Sequence, residues 1–299
     1  MATAHALHYG MGIPVRKVPA VLEELTGIRV TQSAVTQDAL RRAEGSVGAT
    51  YEEVRKQVRQ APVVHTDDTG WRVNGETAFL MGFDMDRATV YQIRDRHRNE
   101  EVREIIPSDY AGVMVSDRGK SYEAEELAGV AQQKCLAHLP RNVSEVVEKK
   151  QGRARWFGTR LMVLLREGLA LWHARGDLKP DEARTRVQLL NAQLSEHLRL
   201  RILRDHDNQR LLDGIGLQHD QGRLLLFLTK PEVEPTNNRA ERILRPAVIA
   251  RKVSQCSKKE RGAQAFPAFV SIAQTARQIG QTMSQAFQSV FMSAPAQAR

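Results

Sequence analysis

Long apolar runs are absent from this chain of 299 residues. It has no stretch of about 18 apolar residues, which is the length that a helix needs to cross a bilayer. Cysteine is scarce too, because Cys135 and Cys256 are the only two, which is too few for a disulfide framework. The first residues, MATAHALHYG, lack the basic-then-apolar layout of a secretory signal. These features predict a cytoplasmic protein without a transmembrane helix.

Positive charge is in excess, with a formal net charge of +9. The excess is concentrated in residues 239–261, which hold eight Lys and Arg against two Glu. A solvated helical face would explain part of this cluster. Its imbalance favours a nucleic-acid partner, because neutralised phosphates release counterions and add affinity.

The first 60 residues show helical spacing. Val18, Val21, Leu22 and Leu25 recur at three-and-four intervals, TGIRV interrupts the pattern, and Thr31 is placed to cap a second helix running to about Arg42. Two helices joined by a short Gly-containing turn are the outline of a DNA-reading helix-turn-helix. A packing hairpin is the alternative, and from these residues alone it is favoured.

A strand pattern follows. VVHTDDTGWRV, an Asn74-Gly75 turn, TAFLMGFDM and ATVYQIR predict an antiparallel meander. A short helix at Asn99–Ile106, the strand GVMVSD, a helical stretch near Ser121–Ala128 and the strand AQQKC come next. The predicted fold class is α/β, with a mixed five-stranded sheet flanked by helices.

The remainder of the chain is predominantly helical. Residues 138–227 are helical almost throughout, and KPEVEPTNN predicts a loop. Helices are expected at Asn238–Leu244, ended by Pro246, and at Ala263–Phe291, followed by a tail rich in Ala, Gln and Ser.

Three acidic residues stand at the expected ends or starts of elements. Asp67 is expected to end the first strand, Asp117 ends GVMVSD, and Glu241 opens a helix. If the two strands are neighbours, these carboxylates converge and bind two Mg²⁺ or Mn²⁺ ions for phosphodiester chemistry. Each acid also has a simpler explanation: a turn at Asp67-Asp68, a turn at Asp117, and a capping box from Asn238 to Glu241.

Two further patterns suggest other chemistry. Asp68-Thr69-Gly70 matches the aspartic-protease tripeptide, but a second copy, which a carboxylate dyad needs, does not occur. Cys135 and His138 have the spacing of two zinc ligands without the other half of a site, so a packed strand-to-helix junction is favoured. His65 alternates onto the face of Asp67 as a neighbour that tunes the site or as a structural histidine.

Four blocks carry a family resemblance: HTDDTGWRV, VMVSDRGKSY, CLAHLPRN and EPTNNRAERILRPAVIARK. In this order they resemble the signature blocks of the insertion-sequence-66 transposases, which are DDE enzymes with an RNase H-like catalytic fold. The resemblance covers about residues 10–290, and EPTNNRAERILRP is its most specific block. It implies that Asp67, Asp117 and Glu241 are the catalytic, metal-holding triad.

The resemblance also implies a domain plan. Residues 1–60 would form a helical N-terminal segment, 61–138 plus 230–260 the catalytic core, 139–229 a helical insertion, and 261–299 a C-terminal helix and tail. Where the family commonly has Asp-Glu-Thr, this chain has Asp67-Asp68-Thr69, so Asp68 is the non-catalytic acid. The family's Cys-rich zinc-binding N-terminal extension is not in this sequence, which leaves open a fragment, a truncated element or a domain expressed alone.

The implied function is transposition of DNA. Water cleaves a phosphodiester at the transposon end, and the freed 3′-hydroxyl attacks target DNA, with a homodimer expected on paired ends near the nucleoid. Asn237 and Asn238 either position the glutamate helix or touch DNA. The alternative is a non-catalytic DNA-binding remnant of a truncated or domesticated transposase. The expected phosphate contacts are Arg239, Arg242, Arg245, Arg251 and Lys252.

Overall fold

The computed structural model describes residues 1–199, 201–254 and 256–293. Before the first strand the helices are α1 (Ala2–His5), α2 (Val18–Thr26), α3 (Gln32–Ala43) and α4 (Ser46–Gln57). The strands are β1 (Val63–Val73), β2 (Glu76–Asp84), β3 (Thr89–Arg94), β4 (Val113–Ser116) and β5 (Ala131–Lys134), with α5 (Asn99–Arg103) between β3 and β4. The later helices are α6 (His138–Val147), α7 (Gly152–Ala174), α8 (Pro180–His197), α9 (His206–Asp220), α10 (Asn238–Ser254), α11 (Glu260–Gln278) and α12 (Met283–Met292).

The five strands form one mixed sheet in the order β3-β2-β1-β4-β5. β1, β2 and β3 pair antiparallel, and β4 pairs parallel with β5. The β1–β2 turn is made by Asn74 and Gly75, whose φ angles of 51° and 85° are those that a two-residue hairpin turn requires. The predicted α/β class and the five-stranded mixed sheet are therefore confirmed.

By its internal contacts the chain divides into two compact units. The first unit contains Met1–Gly112, Ala124–Leu127 and the described part of Asn238–Arg299. The second unit contains Val113–Glu123 and Ala128–Asn237. Among the described residues, no helix is long and apolar enough to cross a membrane.

In the first unit, α10 packs on β1 and β2, and α11 packs on β3, α3 and α4. One hydrophobic cluster joins α10 to the sheet, with Trp71, Leu80, Tyr91, Ile243 and Leu244 all buried. A second cluster joins α11 and α12 to α3 and α4. The sheet face of this unit is therefore covered by the two helices that follow the long helical block in sequence.

The N-terminal helices follow the expected pattern. α2 ends at Gly27, whose φ of 69° lets its N–H bond to the Glu23 carbonyl. Thr31 caps α3 by accepting a hydrogen bond from the backbone N–H of Ala34. Two helices separated by this short connection match the helix-turn-helix outline, and their DNA-reading role stays a prediction.

The second unit contains β4, β5 and helices α6 to α9. The Gln133 amide links β5 to a later segment, because it donates to the Leu224 carbonyl at 3.0 Å and accepts from the Phe227 N–H at 3.1 Å. Helices α6 to α9 occupy most of residues 138–227, as the sequence predicts.

Several element boundaries differ from the sequence expectations. α10 continues through Pro246 to Ser254, because Ile243, Leu244 and Ala247 are buried on both sides of the proline and this packing outweighs one lost helical hydrogen bond. The single helix expected at Ala263–Phe291 is two helices, α11 and α12, separated at Gly280 with φ 74°.

The helical stretch expected near Ser121–Ala128 is wrong as well, since only a single 3₁₀ turn, Glu125–Leu127, forms there. The expected C-terminal tail lies at residues 294–299, outside the described residues.

Candidate active site

Asp67 and Asp68 lie in the middle of β1, not at its end. The strand continues through Gly70 to Val73, and Asp67 and Asp68 pair with Gly82 and Met81 of β2. The expectation that Asp67 ends the strand is therefore wrong, and so is the alternative of a turn at Asp67-Asp68. Gly70 takes an extended conformation, because the β1–β2 pairing fixes its backbone along the whole ladder.

Successive residues of a strand face opposite sides of its sheet, so the two acids have different surroundings. The Asp68 carboxylate lies 3.3 Å from His97 Nδ1. His97 in turn packs against Phe79 of β2, with ring centroids 5.7 Å apart. The Asp67 carboxylate accepts the backbone N–H of Asp68 at 2.9 Å. The non-catalytic acid of the sequence prediction is thus engaged by a histidine that the sequence did not single out.

Glu241 lies in the first turn of α10 and is half-buried. The position of α10 is fixed by a close approach to β2 at Gly82, the residue opposite Asp67. A Cβ at Gly82 would lie 2.8 Å from Ile243 Cδ1 and 3.2 Å from Leu244 Cδ2. Since ordinary carbon contacts are about 3.5–4.0 Å, only glycine allows the helix to pack this close. The strand with Asp67 and the helix with Glu241 therefore meet across a glycine.

Two polar contacts hold the same helix. The buried Tyr91 hydroxyl donates to the Ile243 carbonyl at 2.6 Å. Arg239 donates to the buried Asp84 carboxylate at 2.9 Å and to the Met85 carbonyl at 2.8 Å. Arg239, expected from the sequence at a phosphate, thus anchors α10 to the end of β2.

Asp117 directly follows β4 and is half-buried. Its Oδ1 accepts the backbone N–H of Gly119 at 2.9 Å, so this carboxylate also stabilises the turn after the strand. A Cβ at Gly119 would lie 3.0 Å from that oxygen, which explains the glycine. The turn explanation and the metal-holding prediction for Asp117 are therefore compatible in this position.

Lys134, at the end of β5, is fully buried beside Asp117. Its ammonium donates to the Asp117 carbonyl at 3.1 Å and to the Ser116 hydroxyl at 3.3 Å. Burial lowers the pKa of Lys134 to about 8. Buried lysines are rare because their desolvation is costly, so this one marks a site where charge matters. The only sequence signal was a lysine in an otherwise uncharged strand.

Cys135 and His138 lie at the junction between β5 and α6. Cys135 is a buried thiol outside any disulfide, and its sulfur accepts the backbone N–H of Asn237 at 3.2 Å. Asn237 is itself buried, and His65 of β1 is buried in the first unit. The thiol therefore has a structural role in holding the segment before α10.

The basic residues predicted at phosphates differ in exposure. Arg242, Arg245 and Lys252 of α10 are exposed. Arg251 is half-buried and donates to the Thr69 hydroxyl at 3.2 Å and to the Gly70 carbonyl. Three of the five predicted cations thus remain available at the surface of α10, and Asn238 is exposed at its start.

The described residues contain no group of three or more His, Cys, Asp or Glu arranged to hold a metal ion. By the chemistry of their donors, the three predicted carboxylates suit Mg²⁺ or Mn²⁺, which bind hard oxygen ligands. The donors fit these ions in kind, and their role as ligands stays a prediction.

The mixed sheet order and the flanking helices are compatible with the RNase H-like class of α/β proteins. Residues 1–265 match the model of the Transposase IS66 family, which is of the DDE type. The chain belongs to this family. No curated protein matches it. Membership implies DNA transposition and DNA binding, and enzymes of the DDE type use divalent metals.

Proposed function

We propose that the protein is a metal-dependent DNA transposase that cleaves transposon ends and joins them to target DNA. The observation that carries this proposal is the close packing of α10 on β2 at Gly82, directly beside Asp67 in the β1–β2 ladder. This contact fixes the helix of one predicted ligand, Glu241, against the strand of another. Family membership supplies the reaction class.

Asp67, Asp117 and Glu241 would hold two divalent ions. When bound, such ions polarise the scissile phosphodiester and make water or a 3′-hydroxyl a stronger nucleophile. The carboxylates take no covalent part. In the first step water attacks phosphorus, the P–O3′ bond breaks and a 3′-hydroxyl is released; in the second, that hydroxyl attacks a target phosphodiester and displaces its 3′-oxygen.

The other residues position the DNA and the ligands. Arg242, Arg245 and Lys252 are exposed along α10 and would contact phosphates. Lys134 holds the backbone of Asp117 and would fix the direction of that carboxylate. A homodimer on paired ends is part of the proposal, as is a cytoplasmic location at the nucleoid, where the DNA substrate lies.

The test compares two matched glutamates in helical first turns. Glu241→Gln should lower Mn²⁺-dependent cleavage about 100-fold or more, since loss of an outer-shell partner alone costs roughly 10–100-fold. Its affinity for DNA should change less than about twofold, because a neutral amide of equal size leaves the surface cations in place. Glu182→Gln, at the exposed start of α8, is the control and should leave both unchanged.

The substrate is duplex DNA taken from the sequences that flank the coding region in its own genome. Cleavage retained by Glu241→Gln would refute the assignment of this glutamate. DNA binding without cleavage by the unaltered chain would support the alternative, a non-catalytic DNA-binding remnant.

A further inference from the structure

A cavity of about 720 Å³ lies in the first unit, and neither Asp67 nor Glu241 lines it. Its walls come from α3, the end of α10, the start of α11 and the segment after α1. None of the described residues that line it is acidic. The cations that line it are Arg16, Lys252, Lys258, Lys259 and Arg261.

The charge of this wall is only partly neutralised. Arg261 pairs with Glu44 at 2.8 Å, both side chains being largely exposed. Lys258 and Lys259 are exposed, and no described carboxylate lies within ion-pair distance of either. Such a concentration of one sign attracts a polyanion, because each phosphate contact releases counterions.

The segment that presents these lysines is held in one conformation. Ser257 N–H donates to the Arg72 carbonyl at 3.1 Å, and its carbonyl accepts the Asn74 N–H at 3.0 Å. Its hydroxyl accepts the Trp71 indole N–H at 3.2 Å. The preceding Cys256 has φ 67°, an unfavourable backbone for a residue with a Cβ. Strained backbone that the surroundings hold in place is typical of functional loops.

The same cavity has aromatic and polar walls. The rings of Tyr9, Trp71 and Phe266 line it, with the Trp71 and Phe266 centroids 5.0 Å apart. From α3 it is lined by Gln32 and Thr36, which lie four residues apart on one face of the helix. Cations that track a backbone, together with aromatic rings for bases, are the combination that binds single-stranded nucleic acid.

Both elements that carry predicted ligands in this unit lead to the cavity. From Asp67 to Trp71, β1 covers about 13 Å at its usual rise per residue. From Glu241 to Lys252, α10 covers roughly 16 Å. A DNA strand leaving Asp67 and Glu241 would reach the cavity within a few nucleotides. A volume of this size encloses a small ligand and not the width of a duplex.

We propose that this cavity binds a single strand of DNA close to the cut, with its phosphates at Lys258, Lys259 and Arg16 and a base against Phe266 and Tyr9. The inference rests on the proposed function, since the strand separated at a cleaved end is its source. It assigns a task to residues 256–259 that the reaction itself does not require.

The test measures the affinity for a fluorescently labelled oligothymidylate by anisotropy at several salt concentrations. Lys258→Ala with Lys259→Ala should weaken binding roughly tenfold and reduce the salt slope by about 1.4, since each contact to a single strand contributes about 0.7. Lys56→Ala with Arg59→Ala removes two exposed cations of the same unit that do not line the cavity, and it should change neither quantity.

A second variant tests the aromatic wall. Phe266→Leu keeps an apolar side chain and should weaken oligothymidylate binding about fivefold or more, the lower end of the effect of losing one stacked base. Its circular dichroism and melting temperature verify the fold. Binding of the corresponding duplex should be affected less by both cavity variants.

The inference is overturned if replacing Lys258 and Lys259 lowers the affinity for oligothymidylate no more than replacing Lys56 and Arg59 does. So would a loss confined to the duplex. Both outcomes are independent of cleavage: a chain that binds the oligonucleotide through this cavity and cuts no DNA would refute the proposed function alone. A chain that cuts DNA with an indifferent cavity would refute the inference alone.

Discussion

Gly82 is the position at which a single methyl group should separate the helix of Glu241 from the strand of Asp67. In Gly82→Ala the added Cβ would lie 2.8 Å from Ile243 Cδ1, against about 3.5–4.0 Å for an ordinary contact. Ile243 is 4% exposed and packs against other buried side chains, so it has little room to turn away. Either α10 shifts by several tenths of an ångström or the isoleucine leaves its preferred rotamer.

The expected cost follows from two opposing effects. Overpacking of a filled core costs about 1–3 kcal/mol, and replacing glycine in a strand returns about 0.4–1 kcal/mol through the unfolded chain. The free energy of unfolding of Gly82→Ala should therefore fall by about 1–2 kcal/mol. Cleavage by the fully folded variant should fall as well, because the shift moves Glu241 relative to β1.

A double-mutant cycle assigns this cost to one atom pair. Ile243→Val deletes Cδ1 and alone costs about 0.5–1.5 kcal/mol. In the double variant the clash is relieved. Its loss of stability should therefore be about 1 kcal/mol smaller than the sum of the losses of the two single variants. Gly262→Ala in α11 is the control, since a Cβ there meets nothing within 4 Å and alanine favours a helix.

Urea unfolding followed by Trp71 fluorescence reports the cluster between α10 and the sheet. Trp156 and Trp172, the other two tryptophans, would first be replaced by phenylalanine. A stability of Gly82→Ala equal to that of the parent chain would refute the reasoning. Strict additivity with Ile243→Val would refute it too, because the cost would then arise elsewhere.

Two further predictions concern buried charge. Burial raises the pKa of Asp38, but hydrogen bonds from His5, Arg42 and Arg41 outweigh it and lower the pKa to about 2 from 3.8. The resulting stabilisation of about 2 kcal/mol is complete above pH 4 and is lost as the pH falls toward 2. Asp38→Asn should therefore unfold at a lower urea concentration at pH 7 and should lack this acid transition. An unchanged acid transition in the variant would contradict the prediction. Lys134→Met should keep or raise the melting temperature, since a desolvated ammonium is removed, yet slow cleavage about tenfold or more through loss of its bond to Asp117. Lys120 is exposed, so Lys120→Met should leave both the melting temperature and the cleavage rate unchanged. Equal cleavage by the Lys134 and Lys120 variants would exclude a positioning role for Lys134.

Local signals predicted the local structure of the fold. Asn74-Gly75 predicted the first hairpin because few residue pairs adopt two positive φ angles, and the structure shows both. Thr31 predicted the start of α3 because its side chain satisfies a backbone N–H at the helix terminus. The strand AQQKC was predicted from its neighbours, and β5 forms there.

Errors arose where packing overrides a local signal. Pro246 is a helix breaker by itself, but the buried residues around it continue α10 for two more turns. Gly70 marks a turn by composition, but nine consecutive pairs with β2 keep β1 extended. In both cases the deciding contacts come from residues far away in sequence, so no local pattern contains them.

The partners of the candidate site were beyond the sequence for the same reason. Arg239 meets Asp84 across 155 positions and Lys134 meets Asp117 across 17, and both pairs depend on how strands and helices pack. The family resemblance of the four sequence blocks selected the three acids, and their catalytic role stays a prediction. The residues that hold those acids in position needed the fold.

The adjacent acids in β1 illustrate how the fold separates equivalent residues. Two neighbouring carboxylates repel each other, and this cost would be highest if both faced the same side. Strand geometry turns them to opposite faces, where Asp68 meets His97 and Asp67 accepts a backbone N–H. Asp68 thus has a partner on its own face of the sheet, the ring of His97. Of the two neighbouring acids, Asp67 is the predicted metal ligand, and it pairs in the ladder with Gly82, where β2 packs closely against the helix of Glu241.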